Sequence, residues 1–435
     1  MIQTILSTLQ SNEKLHAWNL RVNNKKSYQL YFIKQNLDMN REVETTEYVV
    51  NIYTLKNVNG KEMIGSASFC LYPSMSLMEV KEKIEQQTKL CDYTLNKAYA
   101  FPKKMNLKPS TKEVGFSSHT LKEAAFIAAD ALFEADKFDK GYINSSEIFI
   151  NFIDTKYYDS NGNVFLFSKE VGQIEFVTTW AEKGEEVEIY KFIEFGELDS
   201  NFIQNAATKA LLEASDRVKA IKVSKISNCK LLLTEDFVKD YFLHFANKAN
   251  VDAIYSKSSD IDVNHKFQSY SDKNDKISIK LEPTMKGSTR GASFDQEGIA
   301  LRRLKVIEKG VVKTLWGSNA NSQYLHKSVN GTYENFVVGA GTLVDEELED
   351  ENYVEIISVS GFEIDELTGD FASEIRLAYL YQKNKERTII TGGSFSGNVY
   401  DSINTVRFYN ETFQYNNFVG PKKVLLDNVS FTGGE

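Results

Sequence analysis

Three stretches near the amino terminus alternate apolar and polar residues with period two: Ala17-Trp-Asn-Leu-Arg-Val-Asn, Tyr28-Gln-Leu-Tyr-Phe-Ile and Tyr48-Val-Val-Asn-Ile-Tyr-Thr-Leu. Successive side chains of a strand point to opposite faces, so this pattern commits the region to antiparallel strands with one apolar face, closed by a turn at Asn59-Gly60. Such a face needs a cover. Ser76 is placed to cap a helix over 76–90, where Leu77, Val80, Ile84 and Leu90 recur near helical spacing, and a second helix is predicted over 120–135 behind another Ser/Thr start. Strands return over 143–157 and on both sides of Asp159-Ser-Asn-Gly-Asn163, whose Asn-Gly pair suits a tight hairpin. A third helix, over 201–220, carries Ala206, Ala210, Leu211 and Ala214 on one stripe.

A strand follows at 230–233, residues 271–298 are polar and glycine-bearing, and the remainder reads as strand and turn to the end. The expectation is an α+β chain. An antiparallel-sheet-plus-helices domain occupies 1–222, and a β-rich, barrel- or sandwich-like domain occupies 223–435. With 435 residues, 42% of them hydrophobic, the chain has the apolar content for two packed cores.

Charge and cysteine usage narrow the function class. Against 60 acidic residues stand 51 basic ones, and no stretch gathers lysine and arginine on one face, so nucleic acid is not an expected partner. No run of eighteen apolar residues occurs, so no helical membrane span is expected. Residues 1–10 lack the basic start of a signal peptide. Cys70, Cys91 and Cys229 are odd in number and far apart, which suits a reducing compartment, and a cytoplasmic address is expected.

Several short patterns carry no chemistry. Asp136 to Glu147 has the outer positions and central Gly141 of a calcium loop, but Phe138 and Lys140 stand where oxygen ligands belong. Gly339-Ala-Gly341 lacks the third glycine of a dinucleotide fingerprint and reads as a turn. Asn144-Ser-Ser, Asn330-Gly-Thr and Asn410-Glu-Thr fit the glycosylation pattern, which would have no meaning in the cytoplasmic chain expected here. No two of the five histidines (His16, His119, His244, His265, His326) lie three to five residues apart, and no Cys-x-x-Cys pair exists, so no local metal motif is present.

Three segments in order are more specific. Gly291-Ala-Ser-Phe-Asp-Gln-Glu-Gly298 runs into Ala300-Leu-Arg-Arg-Leu-Lys-Val-Ile-Glu-Lys-Gly310. Leu367-Thr-Gly-Asp-Phe371 precedes Ile389-Ile-Thr-Gly-Gly-Ser-Phe-Ser-Gly-Asn398, and the chain ends in Gly420-Pro-Lys-Lys-Val-Leu-Leu-Asp-Asn-Val-Ser-Phe-Thr-Gly433. Over about 225–435 these resemble the TldD/TldE (PmbA, "modulator of DNA gyrase") peptidase family, in its Asp-x-Glu-Gly segment, its Thr-Gly-Asp-Phe turn and its closing Gly-Asn.

The resemblance implies peptide hydrolysis by a two-subunit assembly. Its TldD subunit carries His-Glu-x-x-x-His on a helix after a buried strand, with the histidines holding zinc and the glutamate activating water. The matching place here, Asp240-Tyr-Phe-Leu-His244-Phe-Ala-Asn-Lys-Ala249, keeps His244 but has Phe245 for the glutamate and Ala249 for the second histidine. A late cysteine ligand is absent too. The resemblance is therefore closest to the TldE (PmbA) subunit, with no metal or cofactor in this chain, zinc expected in a TldD-like partner, unfolded peptides as substrate, and a homodimer possible in isolation.

The residues singled out as substrate- or partner-binding candidates are His244, Asp295, Glu297, Arg303 and Asp370. His244 reads either as a contact residue or as a helix histidine packed on Phe242 and Phe245. Asp295 and Glu297 read either as solvated turn carboxylates or as contacts to a peptide or to the partner's rim. Arg302 and Arg303 alternate along an expected strand, so one of them can face a site. Thr368, Gly369 and Asp370 are expected to shape a turn. Two other functions fit the same residues: a peptidase active alone through His244 and Asp295, and a peptide-binding protein with no proteolytic partner.

Overall fold

The structure is a computed structural model that describes residues 1–105, 110–113, 115–116, 118–182, 184–269 and 274–433. Its first part contains α1 (Ile2–Gln10), β1 (Ala17–Ile33), β2 (Asn36–Val58), β3 (Lys61–Leu71), α2 (Leu77–Leu90), β4 (Asn96–Lys97), β5 (Ser110–Glu113), α3 (Leu121–Phe133), β6 (Gly141–Asp159), β7 (Val164–Glu182), β8 (Glu185–Phe195) and α4 (Ser200–Lys219). The strands form one sheet in the order β4-β3-β2-β1-β6-β7-β5, with β8 also paired to β7.

The predicted alternation sets the layers. Along β1 the even residues Leu20, Val22, Tyr28, Leu30 and Phe32 are buried, those at one end under α1 and α2 and those at the other under α3 and α4. The odd residues Arg21, Asn23 and Lys25 face the other way and line a cleft against the second half of the chain. Ser76 and Thr120 start α2 and α3 as capping boxes with Glu79 and Glu123, as the sequence suggested. Helix α1 was not anticipated, although Ile2, Ile5, Leu6 and Leu9 have the spacing of a buried stripe.

The second half contains β9 (Lys230–Thr234), α5 (Asp236–Lys248), α6 (Val251–Tyr255), β10 (Ile279–Glu282), β11 (Leu304–Glu308), β12 (Val311–Val312), α7 (Asn319–Tyr324), β13 (Asn335–Val338), α8 (Asp345–Glu349), β14 (Tyr353–Val359) and β15 (Asp370–Tyr381). It continues through β16 (Thr388–Ile390), β17 (Ser394–Asn398), α9 (Val399–Ser402), β18 (Arg407–Phe408), β19 (Thr412–Tyr415), β20 (Phe418–Pro421), β21 (Lys423–Leu426) and β22 (Ser430–Thr432). One sheet runs β12-β11-β10-β13-β20-β19; the other runs β18-β21-β9-β14-β15-β17-β22, with β16 on β15. Strands outnumber helices among the described residues, as the turn punctuation predicts, and the sheets stay open rather than closing into a barrel. Strand β10 lies inside the segment read as polar and glycine-bearing.

Helix α5 is built into this core. Val238, Tyr241, Phe242, Phe245 and Ala246 form its apolar stripe and pack with Leu231 and Leu233 of β9, Ile279 and Leu281 of β10 and Ile356 of β14. Truncating a ring such as Phe242 to alanine would cost roughly 3–5 kcal/mol. The helix axis is therefore fixed, and the residues on its other stripe are presented from a rigid support.

Candidate functional site

The outward stripe of α5, Asp240, Leu243, His244, Asn247 and Lys248, forms one wall of a groove of about 350 Å³, and Phe362, Glu363, Ile364 and Glu366, which follow β14, form the other. His244 stands in the middle of its wall. Its Nε2 lies 3.0 Å from the hydroxyl of Tyr400. Its ring meets Phe245 and Tyr400 edge to face, with centroids 5.3 and 5.6 Å apart, so of the two expected neighbours Phe245 is the ring partner and Tyr400 takes the place given to Phe242. Burial, reinforced by the charge of Lys248, pushes the imidazole down to about 4, so it is neutral at physiological pH.

Lys248 is buried at the end of the groove, where its ammonium donates to the carbonyls of Ser258 at 3.0 Å and Leu367 at 3.4 Å. Asp240, one turn before His244, is different. It is half-buried, burial and nearby Asp236 push its carboxyl up to about 6 against the pull of Lys239, and among the described residues it has no hydrogen bond or ion pair.

The Thr-Gly-Asp turn holds the groove's far side. Asp365 accepts from the backbone N–H groups of Leu367 and Thr368 at 2.9 and 2.7 Å, and Gly369 has a φ of +78° with the Tyr400 ring 2.6 Å from where a Cβ would sit. Only glycine satisfies both demands. Asp370 accepts from the Asn398 amide at 2.7 Å, while Asn398 also donates to the Thr368 carbonyl at 2.8 Å and accepts from the Tyr400 N–H at 2.8 Å. The two signature segments thus clamp each other and set Tyr400 against His244. His244 and Asp370 belong to one assembly.

Asp295 and Glu297 lie elsewhere, in the seam between the two halves, and the reading of them as solvated carboxylates is corrected. Asp295 is buried and accepts from the backbone N–H groups of Glu297 and Ile299, both at 2.9 Å, and of Thr332 at 3.0 Å. Glu297 accepts from the Asn319 N–H at 2.8 Å, and burial, with Asp295 and Asp252 near, pushes its carboxyl up to about 7. Tyr157 of β6 donates to the Glu297 carbonyl at 3.0 Å, and its ring fills the space where Gly298, at φ +83°, would carry a Cβ. What hides the turn is thus an aromatic side chain 140 residues away. Beside it opens a cleft between the two halves of the chain, about 840 Å³, lined by Arg21, Lys25 and Lys169 on one side and Arg290, Phe294 and Tyr333 on the other. Arg303 is exposed and reaches Glu282 with its Nε; both arginines precede β11 instead of lying within it.

The candidates therefore form two groups: His244 at the α5 groove with Asp370 behind it through Asn398 and Tyr400, and Asp295 and Glu297 at the seam, with Arg303 tied to Glu282 of the cleft lining. Asp240, Lys248 and Tyr400 were not singled out from sequence. The four-residue spacing of Asp240, His244 and Lys248 was readable as one helix face, but nothing local indicates that this face borders a groove. Among the described residues no three His, Cys, Asp or Glu side chains converge as metal ligands would.

Residues 227–433 match the family described as the PmbA/TldA metallopeptidase C-terminal domain. Solved structures extend the likeness to the whole chain. It is similar to TldE from Thermococcus kodakarensis (TM-score 0.77, 14% identity, 99% of this chain and 100% of that one) and to a putative modulator of a DNA gyrase from Thermotoga maritima (0.79, 14%, 100% of both). A putative modulator of DNA gyrase from Bacteroides thetaiotaomicron is similar as well (0.77, 18%, 99% and 98%). At these identities the likeness is one of fold. No match was found among curated proteins.

Proposed function

We propose that this chain, which belongs to the PmbA/TldD family through residues 227–433, is the zinc-free subunit of a two-chain zinc peptidase acting on unfolded peptides. The observation that carries this reading is the donor set on α5. Phe245 and Ala249, at the places of the motif's glutamate and second histidine, are turned into the core with no exposed surface. His244 is the one imidazole on the helix and is engaged by Tyr400, and the ammonium of Lys248 a turn further on repels a divalent cation. A catalytic zinc site takes three protein ligands, so these residues do not fit the ion.

In this reading the zinc ligands would come from the partner subunit, and the ion held there would supply Lewis-acid activation of water. The present chain contributes shape. The α5 groove receives part of the extended substrate, and the seam fixes the angle between the two halves. Such an assembly requires a stable interface, on the order of 1,600 Å² in total.

Co-expression tests the proposal. The chain and a His-Glu-x-x-x-His paralogue from the same organism should co-purify with a peptidase activity that neither shows alone. Full activity of either chain by itself would overturn it. Elemental analysis gives an independent check: the isolated chain should hold well below one zinc, whereas a stoichiometric zinc that survives dialysis and is lost in His244→Ala would place the metal here instead.

A further inference from the structure

The α5 groove carries more acid than its own residues use. Of its charged lining residues, Asp240, Glu363 and Glu366 are anionic and Lys248 alone is cationic, since His244 is neutral. The Lys248 ammonium is tied to two carbonyls at one end and already faces Asp260, Asp365 and Glu366. Asp240 and Glu363 have no hydrogen bond or ion pair among the described residues. A carboxylate held half out of water without a donor is an unfavourable arrangement for a free surface. It becomes favourable when a ligand brings the missing charge.

The rest of the lining restricts what that ligand is. Leu243, Ala253, Phe362 and Ile364 give the groove an apolar lining, and Phe362 is braced edge-on by Phe237, with centroids 5.5 Å apart. An apolar trough with a carboxylate at one side matches a side chain whose stem is hydrocarbon and whose head is cationic. The volume of about 350 Å³ lies at the lower end of ligand clefts, which run roughly 300–1,000 Å³, so the groove suits one long side chain and its adjoining backbone.

We infer that the α5 groove is a specificity subsite for a lysine or arginine side chain of an extended peptide, with Asp240 as the group that meets its charge. The inference rests on the peptide ligand of the function proposed above and adds the chemical class of the residue bound. It needs no metal and no covalent step.

Fluorescence anisotropy with the full chain tests it. The probes are labelled, unstructured peptides with a blocked amino terminus and a central arginine, glutamine or glutamate. The arginine peptide should bind about tenfold more tightly than the glutamate one, and Asp240→Asn, nearly isosteric and therefore expected to fold, should remove most of that preference. Glu363→Gln combined with Glu366→Gln, on an exposed loop, should narrow it, while Glu44→Gln on the N-terminal sheet should leave it unchanged. Equal binding of the three peptides would overturn the charge assignment and leave the peptide-binding function standing. A preference that survives Asp240→Asn, or no binding at all, would overturn the inference, while the two-chain activity is read separately by co-expression.

Discussion

Two regions of this molecule bury carboxylates, and they do so in opposite ways. At the seam, Asp295 enters a low-dielectric site and finds three backbone N–H donors there. At the α5 groove, Asp240 enters a partly dry site and finds no donor among the described residues. Both pay a desolvation penalty, and burial holds both carboxyls above the usual range, but at Asp295 three backbone donors offset part of it whereas Asp240 receives no hydrogen bond among the described residues. The difference separates a carboxylate that holds structure from one held in readiness, and it does so without reference to sequence motifs.

The comparison is broken most directly at Asp295. Asp295→Ala leaves three backbone donors buried without an acceptor, at about 1–3 kcal/mol each before relaxation, so denaturant unfolding should show a loss of about 4 kcal/mol. A loss below 1 kcal/mol would mean that the turn is not structural.

Glu297 sharpens the comparison through pH. Its carboxyl titrates at about 7 in the folded chain against an ordinary 4.5, so between those values the folded state holds a proton that the unfolded state has released. Stability from this group is greatest below pH 4.5 and falls as pH rises through about 7, by at most about 3 kcal/mol. Glu297→Gln keeps an acceptor for the Asn319 N–H and should flatten that part of the stability-versus-pH curve. Identical slopes for the two proteins would refute the assignment.

The smallest effect is expected at Asp240, and it has the opposite sign. Removing an uncompensated charge by Asp240→Asn should raise stability at pH 7.5 by up to about 1 kcal/mol after allowance for solvent screening, while weakening binding of basic peptides. Destabilisation on this substitution would show that Asp240 has a partner within the fold.

Much of the scaffold was legible because it depends on local periodicity. The parity of Leu20, Val22, Leu30 and Phe32 predicted which face of β1 is covered, and the Ser76 and Thr120 starts predicted α2 and α3. The Thr-Gly-Asp turn was legible for the same reason, since Asp365, Thr368 and Gly369 satisfy each other within five residues. The site was harder. His244 is set by Tyr400, 156 residues later, and Gly298 is closed by Tyr157 from the other half, so neither environment leaves a trace near the residue it governs. An Asp-x-Glu-Gly segment looks like a surface turn until the ring that covers it is known.

That ring also has a consequence during synthesis. Tyr157, Phe165 and Phe167 of the amino-terminal sheet complete their cluster only with Phe294. At roughly 5–20 residues per second, on the order of ten seconds separates the emergence of the β6–β7 hairpin from that of its cover. For that interval the ribosome displays a sheet with an aromatic patch facing water, and the nascent chain is most prone to meet another like itself before its own second half arrives.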